Sequence, residues 1–97
     1  MKGLNKMEKV RFLFKSKIED YNDKAIKNKY NRSIDKSYLE SLPRRDNKNN
    51  LIKYPIIHSQ LQDNDLIRCL VITSGEFNHI SLDMSLRDYK LLPLAEI

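Results

Sequence analysis

Apolar residues recur at helical spacing through the first third of the chain. They follow one another at intervals of three or four residues, and no proline or glycine interrupts residues 4–30. This pattern predicts one long amphipathic helix over that segment. The short polar side chains at 20–23 leave open a second helix start there. The apolar stripe consists of Met7, Val10, Phe14, Ile18, Tyr21 and Ala25.

A second, shorter helix is predicted over residues 34–42. Ile34, Tyr38 and Leu42 are four residues apart, Ser33 stands where a capping side chain is favoured, and Pro43 ends the segment. Residues 43–50 then contain no apolar residue other than the proline. This composition predicts a mobile loop or linker.

The chain from residue 51 onwards has a β-type pattern. Residues 51–58 predict a strand, and Pro55 places it at an edge or a bulge because proline lacks a backbone donor. Asp63, Asn64 and Asp65 then predict a turn.

Residues 66–85 predict a β-hairpin whose register follows from its turn. A two-residue turn at Gly75 and Glu76 opposes residues whose numbers sum to 151. That register builds one wholly apolar face and sets Arg68 against Asp83 on the other. A turn one residue earlier keeps an apolar face but loses the charge match, so we prefer the first. The apolar pairs are Ile67–Met84, Cys69–Leu82 and Val71–Ile80.

The last segment predicts a short helical turn and a final strand. Ser85 and Asp88 have the spacing of a capping box, and residues 89–94 predict the strand, with Pro93 at its edge. The predicted fold class is therefore α+β. A long N-terminal amphipathic helix and a short second helix pack on a small antiparallel sheet of three to four strands.

Composition favours a single domain over residues 1–97. Of the 97 residues, 40% are hydrophobic and 32% are charged, which is typical of a foldable domain of this size. No apolar run approaches the ~20 residues of a bilayer crossing, and the N-terminus lacks the apolar core of a secretion signal. We therefore expect a cytoplasmic protein with no membrane partner. Cys69 is the one cysteine, which excludes an internal disulfide and favours a buried side chain.

Charge is distributed unevenly along the chain. Residues 1–53 carry 15 lysines and arginines against 7 acidic residues, whereas residues 54–97 carry 3 against 6. The domain thus divides into a basic helical half (1–42), a basic loop (43–50) and a β-rich half (51–97). On the helical wheel, five lysines share an arc beside the apolar stripe. This arc is either a phosphate-facing surface or a solvated face whose lysine stems cover the core edges. With the loop cations, the candidate binding residues are Lys6, Lys9, Lys17, Lys24, Lys27, Arg44, Arg45 and Lys48.

Residue types that carry catalysis are sparse. His58 and His79 are the only histidines, and the preferred register puts Cys69 and His79 on opposite faces of the hairpin. No paired carboxylates, metal-ligand cluster or glycine-rich phosphate loop occurs in the sequence. We expect no catalytic residues, no metal and no cofactor.

The sequence supports two non-enzymatic functions. The first is an accessory protein that binds nucleic acid through phosphate contacts from the lysine-rich helix face. The alternative is a protein-binding regulator or inhibitor, of the phage or mobile-element type, that presents its basic face to an acidic site on a larger partner. A homodimer is also compatible with this composition. An exposed apolar patch on the folded protein favours a protein partner.

Overall fold

The computed structural model describes residues 9–27, 34–74 and 78–96, which form an antiparallel α+β structure. Within these residues, five strands form one sheet in the order β4-β3-β2-β1-β5, and three helices accompany them. In chain order the elements are β1 (Lys9–Leu13), α1 (Lys15–Lys27), α2 (Lys36–Ser41), β2 (Tyr54–Asp63), β3 (Leu66–Ser74), β4 (Asn78–Ser85), α3 (Leu86–Leu91) and β5 (Leu94–Glu96).

The core lies between the helices and one face of the sheet. Ile18 and Tyr21 of α1 and Leu39 of α2 join a single buried cluster with the inward side chains of the strands. In β3 the residues of the cluster alternate with exposed or half-buried neighbours, as expected for a sheet with one covered face. They are Leu13, Tyr54, Ile56, Ile67, Cys69, Val71, Ile80, Leu82 and Met84.

The predicted register of the β3–β4 hairpin is confirmed. Its pairs run from Leu66–Ser85 to Ile72–His79, so the opposed residue numbers sum to 151. All six residues of the predicted apolar pairs are buried. The register shifts by one residue before Ser74, which pairs with Asn78, and the predicted turn at Gly75–Glu76 lies outside the described residues.

The predicted charge match on the other face of the hairpin is also confirmed. Arg68 Nε donates to Asp83 Oδ1 at 2.8 Å, and Arg68 Nη2 donates to Asp83 Oδ2 at 3.0 Å. The carboxylate is almost fully buried, and its hydrogen bond raises the pKa of Arg68. This two-pronged contact holds β3 and β4 in register from the face opposite the core.

The prediction of one continuous helix over residues 4–30 is wrong at residues 9–13, which form strand β1. Val10 and Phe12 alternate with Lys9 and Arg11, so residues 9–12 fit a period of two as well as the helical spacing. Pairing decides between them, because Lys9–Arg11 form a ladder with β5, at the far end of the chain. Helix α1 begins only after Phe14, whose carbonyl accepts from the N–H of Ile18 at 3.2 Å.

The predicted sheet of three to four strands is too small, and two predicted strands are displaced. Strand β2 begins at Tyr54 and continues to Asp63, beyond the predicted segment 51–58. Helix α3 occupies the first three of the six residues of the predicted strand 89–94, and β5 begins at Leu94. The predicted capping interaction is present, since Ser85 Oγ accepts from the backbone N–H of Asp88 at 3.0 Å.

The second helix forms close to its predicted position. Helix α2 begins after Asp35 and ends at Ser41, with Leu42 extended before Pro43. Ser33, the predicted capping residue, lies outside the described residues. Tyr38 reaches the sheet, where its hydroxyl lies 2.6 Å from Thr73 Oγ1.

Candidate binding cleft

The predicted lysine arc is divided between different parts of the fold. Lys17 and Lys24 are exposed on α1, as the wheel predicted, whereas Lys9 lies in strand β1. Lys6 lies outside the described residues. Lys27 ends α1, and its side chain is not among those described. The structure therefore places only two lysines of the five together on the surface of α1.

Acidic side chains reduce the positive charge of that surface. Asp20 is exposed between Lys17 and Lys24, and Lys24 Nζ lies 5.0 Å from the ring centroid of Tyr21. Arg44, which the sequence grouped with the cations of the loop, forms an ion pair of 2.8 Å with Glu19 of α1. This contact joins the loop to the helix and offsets one of the predicted binding charges.

The segment 43–50, predicted as a mobile loop or linker, is a turn that hydrogen bonds of its own side chains hold together. Asp46 Oδ1 accepts from the backbone N–H groups of Lys48 and Asn50, both at 2.9 Å. Asn49 adopts a left-handed backbone with φ 68°, and its carbonyl accepts from Arg45 Nη1. Arg45 and Lys48 remain exposed on this turn.

Strands β1 and β2 pair over only two positions and then separate. Phe12 pairs with Pro55 and Leu13 with Tyr54. Residues 9–11 pair only with β5, which lies on the other side of β1. Pro55 has no N–H to donate, and β2 carries one extra residue, Ile57, where its register with β3 shifts. The sheet therefore opens beyond these two pairs.

The opening is a cleft of about 450 Å³, which we call the β1–β2 cleft. It is bordered by β1 on one side and β2 on the other, with α3 and the start of β5 contributing one residue each. None of these residues is acidic. They are Lys9, Val10, Arg11, Ile56, Ile57, His58, Ser59, Tyr89 and Leu94.

Arg11 is the best-positioned cation of the cleft. Its Nη1 donates to the carbonyl of Leu92 at 2.9 Å and to that of Lys90 at 3.2 Å. Its guanidinium carbon lies 5.0 Å from the ring centroid of Tyr89. Among the described residues Arg11 forms no ion pair, so the guanidinium is held in place without being neutralised.

Two hydroxyls and two exposed basic residues complete the polar part of the cleft. Ser59 Oγ and the Tyr89 hydroxyl are 3.2 Å apart, which links β2 to α3. Lys9 and His58 are exposed at the rim. The cleft thus combines a fixed guanidinium with a second cation, an arrangement that attracts carboxylate or phosphate groups.

The predicted separation of Cys69 from His79 is confirmed. Cys69 is fully buried opposite Leu82, and burial raises the pKa of its thiol to about 12. His79 pairs with Ile72 at an exposed position of the neighbouring strand. In the part of the chain that the structure describes, no group of three potential ligands is arranged to hold a metal ion.

Sequence reasoning named Lys9 but missed the other residues of the cleft. On the wheel of the predicted helix, Arg11 lies on the opposite flank of the apolar stripe from the five lysines. Ser59 and Tyr89 are 30 positions apart in the chain. Pro55 was the one available signal, because an edge or bulge was predicted there. Pro55 gave no indication of which strand would separate from β2.

Within the described residues, none of the helices is both long and apolar enough to cross a bilayer. No protein-family model, curated protein or solved structure matches this chain.

Proposed function

We propose that this protein is a non-enzymatic binding module that recognises an acidic segment of a partner protein at the β1–β2 cleft. The observation that carries the proposal is Arg11, a fixed guanidinium in a cleft whose border contains no acidic residue. Ile57 and Leu94 are exposed in the same cleft, at 51% and 53%. Apolar side chains beside a cation suit a protein surface better than a phosphate backbone.

Binding to nucleic acid is the second candidate. It is favoured by the exposure of Lys17 and Lys24 on α1 and of Arg45 and Lys48 on the turn. It is weakened by Asp20, which lies between the two lysines of the helix. Such binding would rest on phosphate contacts and would carry little sequence preference.

The two candidates can be distinguished by the amount of protein partner that charge-reversal variants capture from a nuclease-treated lysate. A protein partner at the cleft predicts that Lys9→Glu lowers the captured amount about tenfold, because it puts a like charge beside the acidic segment. The double variant Lys17→Glu/Lys24→Glu is the matched control and is expected to stay within about twofold of the parent. All three positions are exposed, but Lys9→Glu sets a second carboxylate opposite Glu96, so circular dichroism must first show that this variant folds like the parent. Capture that is lost on nuclease treatment, or that Lys9→Glu leaves unchanged, contradicts the proposal.

Salt dependence tests the second candidate directly. If four exposed cations each contact a phosphate, the plot of log K against log salt for a labelled oligonucleotide should have a slope of about −3 to −4. Fluorescence anisotropy over a salt series measures this slope. A flat plot, or no binding at low salt, removes the nucleic-acid candidate.

A further inference from the structure

The outer edge of β2 is the strongest unassigned feature of the described structure. We infer that this edge accepts a short extended segment of the partner as an added β-strand, and that Arg11 and Lys9 hold an acidic side chain of that segment. The inference rests on the proposed function and adds a binding mode and a ligand chemistry to it. Strand addition is a common way for a sheet edge to bind an extended peptide.

The backbone of β2 is paired on one side only along most of its length. From Ile56 to Asp63 it pairs with β3, whereas on the other side β1 forms backbone pairs only with Tyr54 and Pro55. Among the described residues no other strand pairs with that side. Because alternate residues of a strand direct their N–H and C=O groups to opposite sides, this edge offers backbone donors and acceptors to an incoming chain.

The side chains on the edge strand suit an apolar partner. Ile57 and Leu61 are 51% and 53% exposed; Leu61 ends the regular stretch of β2, and Ile57 is the extra residue just before it. Natural edge strands are commonly protected by lysine. The segment from Ile57 to Gln62 contains none.

The geometry also limits the length of the added segment. β2 carries an extra residue between Ile56 and His58 and another between Leu61 and Asp63. These irregularities bend the strand and interrupt its ladder. The regular stretch between them is His58–Leu61, so the added segment should pair over about four to six residues.

Charge identifies the kind of occupant. Arg11 and Lys9 border the same cleft as Ile57 and His58, and no bordering residue is acidic. Glu96 is the cross-strand partner of Lys9, whereas Arg11 is opposite Leu94, so Arg11 is the main cation for an acidic side chain. A second copy that added its own β2 would bring one carboxylate, that of Asp63 at the end of the strand, so a homodimer is one outcome of the test below. Nucleic acid would leave the backbone groups of the edge unpaired. An acidic peptide with alternating apolar side chains satisfies the backbone, the apolar positions and the cations together.

A defined peptide tests this binding mode. The probe is an eight-residue peptide, capped at both ends, in which valine and threonine alternate and a central glutamate replaces one residue. Titration into the full-length, isotope-labelled protein should shift the backbone amide signals of Lys9, Arg11 and residues 57–63 in a saturable way. N-methylation of alternate peptide nitrogens on one edge should weaken binding at least about tenfold, because those donors are lost. A central lysine in place of glutamate should weaken it by a similar factor.

Variants of the protein give the matched controls. Leu61→Lys introduces a charge typical of protected edges at an exposed position and should weaken peptide binding about tenfold. Lys24→Glu, on α1, should leave peptide binding within about twofold.

Absence of saturable shifts at residues 57–63, equal binding of the N-methylated peptide, or a Leu61-dependent dimer that excludes the peptide would each overturn the inference. If the nuclease-resistant partner is captured equally by Leu61→Lys, the proposed function stands and strand addition fails. If no such partner is captured, the proposed function fails as well.

Discussion

Replacing Leu82 with alanine is expected to lower the free energy of unfolding by about 3 to 4 kcal/mol. Leu82 is 1% exposed in the middle of β4, directly opposite Cys69, and it belongs to the cluster that joins the sheet to α1 and α2. Truncation removes apolar contacts and leaves a cavity that the paired strands cannot easily close. Urea unfolding followed by circular dichroism measures the change.

The neighbouring residue provides the control for this prediction. Ser81 precedes Leu82, points to the opposite face and is exposed, so Ser81→Ala should change the free energy of unfolding by no more than about 0.5 kcal/mol. A small domain of this size has a total stability of roughly 5 to 10 kcal/mol, so the Leu82 variant should approach the limit of folding. Equal effects of the two substitutions would show that Leu82 is not part of the core.

The Cys69 thiol is expected to react with iodoacetamide at least about 10³-fold more slowly in the folded protein than in urea at pH 8. Burial raises its pKa from the ordinary value near 9 to about 12, which lowers the thiolate fraction by about that factor. Because Cys69 is 0% exposed, the reagent also needs a local opening to reach the sulfur, which slows the reaction further. Mass spectrometry of timed, quenched samples measures both rates.

The pH dependence of the same reaction has a definite sign. A raised pKa means that the folded-state thiolate fraction keeps rising up to about pH 12, whereas the unfolded-state fraction levels off near pH 9. The ratio of unfolded to folded rates should therefore be largest below pH 9 and should fall as the pH rises from 9 towards 12. A ratio near one at pH 8 would show that Cys69 is accessible and that the face shared with Leu82 is not the core.

Predictions about neighbouring segments of the chain were the most successful. The β3–β4 register followed from three apolar pairs and one charge pair, Arg68 with Asp83, in two strands that are close together in the sequence. Ser85 and Asp88 are three residues apart, and their capping interaction was visible for the same reason. In such cases few alternative pairings compete, so side-chain pattern alone selects the structure.

The candidate site was predicted only in part. The exposure of Lys17 and Lys24 followed from the helical wheel, because α1 covers both positions. Lys9 was assigned to the same surface although it borders a cleft on the sheet. Arg11 and Tyr89 meet across 78 positions of sequence, and no local pattern indicates such a contact.

The sequence by itself determined the α+β class, the α1 face that is buried around Ile18 and Tyr21, and the two faces of the hairpin, because each depends on the spacing of neighbouring residues. Only the tertiary structure decided that residues 9–13 form a strand. Their pattern fits either a helix or a strand, and the free energy of pairing with residues 94–96 and with Pro55 selects the strand. The same choice places Lys9 and Arg11 beside β2, because β1 borders the cleft that opens where its pairing with β2 stops.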